Sequence, residues 1–226
     1  MCNRFHQSEK AVAYLRERGI IVEVDVTDRP GQLFPTGVKT PRYGLTVRRS
    51  AEGNRPLVAS AMEWGFPTTI KGAKGQPLRK FVTNARNLES PFWRASLANP
   101  AHRCLVPFTH FAEPHPDGGK GDDGLPKQAW FSLADADVGM FAGLWRATDR
   151  GPAFSFATCE PNALVAPIHP KAMPAILPPA DWDAWLEADA DTARALVRPY
   201  AGPMVMQTAT PPLPQPVPAP GPGQLF

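Results

Sequence analysis

The sequence predicts one α+β domain over residues 1–207, built on a curved or barrel-like, mostly antiparallel sheet flanked by a few helices. Three observations carry this. Short β-rich runs recur along the chain with Gly- and Pro-rich punctuation between them. Only a few segments show a helical period. The length of 226 residues with 43% hydrophobic content suits one core of ordinary size.

Taken in order, residues 8–18 read as a helix: Ser8 stands at the cap, Ala11, Val12, Tyr14 and Leu15 form a stripe, and Gly19 ends it. IIVEVDV (20–26) alternates and is β-branched, so it reads as a strand. Residues 27–42 hold Pro30, Gly31, Pro35, Gly37 and Pro41 and read as a loop. Strands follow over 43–49 and 57–63. Residues 65–80, rich in Gly, Lys and Pro, read as a long surface loop. Ser90-Pro91 opens a helix, with Pro at its first position. RCLVPF (103–108) reads as a buried strand, followed by the charged, glycine-rich loop 115–127 and strands over 128–133, 139–145 and 153–158. Residues 160–166 and 181–197 read as helical, and 204–207 as a last strand. The remainder, 208–226, holds seven prolines and reads as an extended, disordered tail.

Charge is divided unevenly. Residues 1–110 carry 17 Lys+Arg against 8 Asp+Glu, and residues 111–226 carry 7 against 13. Twelve of the 17 are arginines, which favour bidentate phosphate contact. That asymmetry suggests a polyanionic partner, although the two halves can also pair with each other in the fold. No run approaches the ~18 apolar residues of a membrane span, and MCNRFHQSEK lacks the apolar core of a secretory signal. A cytoplasmic protein with no membrane partner is expected. Cys2, Cys104 and Cys159 form neither a CxxC pair nor a zinc pattern. Neither a metal nor another cofactor is expected, and Cys104 and Cys159 read as small buried hydrophobes.

Cys2 is the most informative residue. Removal of Met1 beside so small a side chain leaves an α-amine and a thiol on one residue. Their ordinary pKa values, about 7.7–8.0 and about 8.5, give both a reactive fraction near neutrality. A 1,2-aminothiol condenses with an aldehyde to an imine, and the thiol can then close a thiazolidine ring. Alternatively, the amine activates its own thiol to attack an amide. A terminal cysteine can also be incidental.

Other segments narrow the choice. Arg4 and Phe5 follow Cys2; Trp64 and Phe66 flank Gly65; then come TNARNLES (83–90), RCLVPFTHFAEP (103–114) and FATCEPNALVAPIHPKAMPAIL (156–177). In this order and spacing the set resembles the SOS-response-associated peptidase (SRAP) family, from Cys2 to about Gln207. The resemblance implies covalent capture of abasic sites in single-stranded DNA. A thiazolidine would join Cys2 to the ring-opened sugar aldehyde, with abasic-site lyase chemistry through the Schiff base and a processing activity that releases Met1. It assigns Cys2 as nucleophile, Asn84 as an orienting amide, Glu113 and His169 as acid/base groups, and Arg4 and Arg86 as phosphate ligands. Phe5 and Trp64, with Phe66, are candidates to stack on bases, or else core residues. The chain departs from the family pattern at Asn3, at Pro114 and in PKAMP (170–174), where Lys171 takes the place of a phosphate-binding arginine. The implied partner is single-stranded abasic DNA, bound by a monomer that associates with the nucleoid. A thiol hydrolase and a non-covalent single-strand binder remain the alternatives. The terminal PGQLF also has the character of a short sliding-clamp ligand.

Overall fold

A computed structural model describes Cys2, residues 4–22 and 31–33, Pro35, Gly37, Lys39 and residues 41–211. The chain runs through β1 (Arg4–Gln7), α1 (Glu9–Glu17), β2 (Ile21–Val22), β3 (Gly31–Leu33), β4 (Tyr43–Arg49), β5 (Leu57–Trp64), β6 (Phe66–Lys71), β7 (Pro77–Val82) and β8 (Asn84–Ala85). There follow α2 (Pro91–Ala98), β9 (Arg103–Phe108), β10 (His110–Pro114), β11 (Gln128–Leu133), β12 (Gly139–Thr148) and β13 (Gly151–Cys159). The last elements are β14 (Met173–Pro174), β15 (Ile176–Leu177), α3 (Trp182–Glu187), α4 (Ala190–Ala195) and β16 (Met204–Gln207).

Five strands close on themselves. β5, β4, β9, β12 and β13 pair in antiparallel succession, and β13 returns to β5 through a parallel seam, Ala153 opposite Glu63 and Phe154 opposite Trp64. Closure removes the sheet edges that would otherwise template pairing with another chain. The expected α+β domain with a barrel-like sheet is what forms. Against the barrel lies a second sheet in the order β16-β11-β10-β1-β3.

Alternation along the strands makes two cores. On β12, Met140, Ala142 and Leu144 join Trp93, Leu97, Trp185 and Leu186 of the helices, while Phe141 joins Phe5, Trp64, Phe108, Phe111, Phe154 and Phe156. The second group is an aromatic block: Phe108 stacks on Phe141 at 4.0 Å, and Phe5 meets Trp64 edge-on at 4.8 Å. Gly143 lets the strands close up here, because a Cβ on it would lie 2.6 Å from Cys104 Sγ. Cys104 is buried and Cys159 half-buried. Burial pushes the thiols of both up, Cys159 to about 12.

A buried ion pair locks the seam. Arg150 Nε and Nη2 donate to Glu63 Oε2 and Oε1 at 3.0 and 2.6 Å, and the Glu63 side chain is buried. Arg150→Ala leaves that charge buried without its fork, so a loss of about 3 kcal/mol is expected. Urea unfolding of the two proteins measures it.

Several sequence expectations are corrected. Residues 65–80 are not a loop but most of the β6–β7 hairpin. Its alternation is hidden by the tight turn at Gly72–Gln76, where Gly75 takes a φ of +82°. Residues 160–166 form successive turns instead of a helix. The helix expected over 181–197 divides into α3 and α4, because Ala188 is extended (ψ 172°) and Asp189 caps a new helix by accepting from the amides of Asp191 and Thr192. β1 and β3 had no sequence signal. Ile21–Val22 is strand as expected, with buried Ile20 just before it, while residues 23–26, most of the tail and the PGQLF terminus lie outside the described residues. Among the described residues no helix is long and apolar enough to cross a membrane.

Candidate active site

β1 carries the start of the chain into the middle of the second sheet, between β10 and β3. Its register sets Arg4 opposite Ala112 and Phe5 opposite Phe111. The Gln7 side chain fastens β1 to the barrel. Its amide donates to the Leu45 and Pro107 carbonyls, both at 2.8 Å, and its oxygen accepts from Leu45 N–H at 2.7 Å. Cys2 is thereby placed at the end of β10, where Glu113 pairs with Ala129 of β11.

Asn84 comes from the barrel side. The two-residue strand β8 runs parallel to β13, with Asn84 beside Phe156. The Asn84 Nδ2 donates to the Cys2 carbonyl at 3.1 Å and to Thr83 Oγ1 at 2.8 Å. Its Oδ1 is buried and accepts no hydrogen bond among the described residues. An amide so placed fixes the Cys2 backbone and keeps a neutral acceptor in the site.

His169 is delivered by the turns after β13. Asn162 organises them: its side-chain oxygen accepts from Val165 N–H at 3.0 Å, its amide donates to the Tyr200 carbonyl at 3.1 Å, and His169 N–H reaches the Val165 carbonyl at 2.9 Å. The imidazole Nδ1 lies 2.8 Å from the Ala172 carbonyl and 3.2 Å from the Ala172 N–H, so the Ala172 backbone holds the ring. Its Nε2 lies 3.9 Å from Glu113 Oε2.

Electrostatics separate the groups. The Cys2 thiol donates to the Arg4 carbonyl at 3.3 Å; complete burial and then the neighbouring Glu113 push its pKa well above the ordinary thiol range. It is therefore a neutral S–H at pH 7. Burial pushes Glu113 up to about 7, a carboxyl able both to give and to take a proton at neutral pH. Burial lowers His169; the Ala172 carbonyl opposes this, and the cations Lys171 and Arg86 add to it.

Cys2, Asn84, Glu113 and His169 thus converge from four separate segments. The remaining predicted residues divide. Arg86 and Lys171 are exposed beside His169, with Arg86 making a loose 3.7 Å ion pair to Glu160. Arg4 faces inward: its guanidinium pairs with Asp123 at 2.6 Å, over the Trp130 ring at 5.1 Å. Phe5 and Trp64 are fully buried and offer no face to a base. They are the floor beneath the site, and Trp64 Nε1 donates to the Thr83 carbonyl at 3.3 Å, next to Asn84. Phe66 is core too, against Trp93 at 5.1 Å. The sequence reading had not singled out Asn162, Thr83 or Asp123. Pro161-Asn162 is a turn signal that marks the first; the other two have none. Among the described residues no cluster of His, Cys, Asp or Glu is arranged to hold a metal ion.

Comparison with known proteins adds to this geometry. A family model, SOS response associated peptidase (SRAP), matches residues 1–212. No curated protein matches by sequence. Three solved structures share the fold. A protein from Bordetella bronchiseptica has a TM-score of 0.70 at 21% identity, over 92% of this chain and 100% of that one. One from Bacteroides thetaiotaomicron has a TM-score of 0.66 at 19% identity, over 91% and 90%. A phage-related protein from Bordetella bronchiseptica has a TM-score of 0.60 at 18% identity, over 95% and 100%. At these identities the likeness is one of fold alone.

Proposed function

Because the chain belongs to the SOS response associated peptidase family, we propose that its four convergent residues capture abasic sites in single-stranded DNA through Cys2. The observation that carries this reading is the convergence itself: Asn84 bonds the Cys2 carbonyl at 3.1 Å, and the fully buried Glu113 carboxyl beside Cys2 has His169 Nε2 at 3.9 Å.

In the encoded chain the Cys2 nitrogen is an amide, so Met1 must first be removed. The freed amine attacks the C1 aldehyde of the ring-opened sugar to give a carbinolamine. Loss of water then gives an imine, with Glu113 as the group that protonates the departing hydroxyl. The ionised Glu113 next takes the thiol proton, the sulfur adds to the imine carbon, and the nitrogen is protonated. One C–N and one C–S bond are formed, and one water leaves. In this reading His169 exchanges protons with Glu113 and helps to open the cyclic hemiacetal; its Nε2 at 3.9 Å from Glu113 Oε2 supports that role. Asn84 holds the Cys2 carbonyl so that the amine and thiol reach the same carbon, and Arg86 and Lys171 contact flanking phosphates. Proton loss from C2 of the imine, with departure of the 3′ phosphate, is the competing lyase route.

The thiol-hydrolase alternative is less well supported. It uses the same thiol and carboxyl, but it gives no role to the exposed cations Arg86 and Lys171 beside His169.

The reading is tested by incubating the Met1-free protein with a single-stranded oligonucleotide carrying one abasic site. A heat-stable protein–DNA band on a denaturing gel is expected, absent with an intact strand. Cleavage of peptide substrates without any DNA adduct would contradict it.

A further inference from the structure

The β6–β7 ribbon has no place in the chemistry above, yet it grows directly out of the site. It leaves the barrel at Gly65, immediately after Trp64, and returns at Val82, two residues before Asn84. Gly65 N–H bonds to the Phe154 carbonyl at 2.8 Å, and β8 resumes pairing with β13 at Phe156. The ribbon is therefore an excursion inserted between two strands that border the site. Five steps of ~3.3 Å carry it about 17 Å from its base, roughly the length of five stacked nucleotides at about 3.4 Å each.

Its two faces differ. On one, Arg79 Nη2 binds both oxygens of Asp149 at 2.7 and 2.8 Å, and the Arg150 guanidinium lies 5.0 Å from the Phe81 ring centroid. That face rests on the β12–β13 turn. The other begins at buried Phe66 and runs outward through Thr68 opposite Lys80 to Ile70 opposite Leu78. Ile70 and Leu78 are 36% and 41% exposed, an apolar pair at the far end of the hairpin.

Charge selects the occupant. Between Gly65 and Leu88 there is no acidic residue, and the cations are Lys71, Lys74, Arg79, Lys80 and Arg86. Arg79 is engaged by Asp149, and Arg86 stands beside His169. Of the exposed ammonium groups that remain, Lys80 shares the face of the apolar pair, Lys74 stands in the turn at the tip, and Lys71 lies at the tip on the opposite face. Cations beside and beyond an apolar pair match a single strand, with phosphates along the outside and sugar and base faces between them.

We propose that the β6–β7 ribbon is a second nucleic-acid contact, which grips the single strand flanking the captured nucleotide. Lys71, Lys74 and Lys80 bind phosphates, and Ile70 with Leu78 lies against sugar or base faces. The inference rests on the abasic-capture reading for what the site itself does, but its test is separable from it.

The test compares the Met1-free wild type with K71Q/K74Q/K80Q and with I70S/L78S, all at exposed positions. The first readout is non-covalent affinity for an intact single strand of about twenty nucleotides as salt is varied. At about 0.7 per phosphate contact, the triple variant is expected to lower the log–log slope by about 2. The second readout is capture rate on abasic strands of about twenty and about five nucleotides. Both variants are expected to slow capture of the longer strand at least about tenfold and to leave the shorter one unchanged. An unaltered salt slope together with unaltered long-strand capture overturns the proposal. Loss of binding to polyglutamate with no change towards DNA also overturns it, assigning the ribbon to an acidic protein partner. If the wild type captures neither strand, the reading of Cys2 fails, and the salt slope alone still decides the ribbon.

Discussion

Cys2→Ser is expected to abolish the stable adduct while leaving the fold and the non-covalent affinity for single strands intact. Serine keeps the α-amine once Met1 is removed, so an imine with the abasic aldehyde still forms and can be trapped by borohydride. What is lost is ring closure by sulfur. A hydroxyl is a far weaker nucleophile towards an imine, and an oxygen ring reopens readily. The side chains differ little in size, and the Cys2 thiol donates to the Arg4 carbonyl, a bond that a hydroxyl can also make. Thermal unfolding is therefore expected to change little, while the heat-stable band on a denaturing gel falls by more than about 10³-fold. A variant that keeps a heat-stable adduct without borohydride would show that another residue provides the link.

Glu113→Gln is expected to slow capture by about 10²–10³-fold, the usual worth of a positioned acid/base group, and at the same time to make the protein more stable at alkaline pH. The sign follows from the raised pKa. Burial moves the Glu113 carboxyl from an ordinary 4.5 up to about 7, so the folded state binds its proton more tightly than the unfolded state does. The stability this gives is fully present below about pH 4.5 and is lost as pH rises through about 7. At about 1.36 kcal/mol per pH unit, the charged carboxylate costs the wild type about 3 kcal/mol above pH 8. Glutamine keeps the shape without the charge. Urea midpoints of the two proteins should converge near pH 4.5 and separate above pH 7, with the variant higher. Coincident curves from pH 5 to 9 would show that Glu113 is not held near neutrality. Such a cost at working pH is what the proposed acid/base role of Glu113 entails.

The architecture was legible where local pattern and burial agree. The short apolar, β-rich runs at 43–49, 103–108, 128–133 and 153–158 marked four strands of the two sheets, and Ser90-Pro91 marked the start of α2. It failed where tertiary contacts override local signals. RFHQ has no strand pattern, because β1 lies between two neighbours and is fixed by the Gln7 side chain bridging to Leu45 and Pro107. A polar residue doing that work looks, in sequence, like a loop. The hairpin at 66–82 was masked by its own composition, since Gly, Lys and Pro punctuate a turn that is only a small part of it.

The site was legible in a different way. The spacing of Cys2, Asn84, Glu113 and His169 contains no geometric hint that they meet; their order within recognisable motifs supplied it. The same approach misjudged the surroundings. Phe5 and Trp64 were open as stacking residues because an aromatic beside a cation reads equally well as surface or core, and the fold buries both beneath Asn84. Arg4 was expected to face phosphate, but Asp123, more than a hundred residues away in the glycine-rich loop, takes up its guanidinium. No local signal reveals a partner so distant.

The central claim is that Cys2 joins its amine and its thiol to one aldehyde carbon. Intact mass spectrometry of the protein before and after exposure to a single-stranded oligonucleotide with one abasic site tests it most directly. The account predicts a starting mass without Met1, and then a species equal to protein plus DNA minus one water, stable without a reducing agent. A protein that has lost Met1 and yet shows no such species, or shows one only after borohydride, would contradict it.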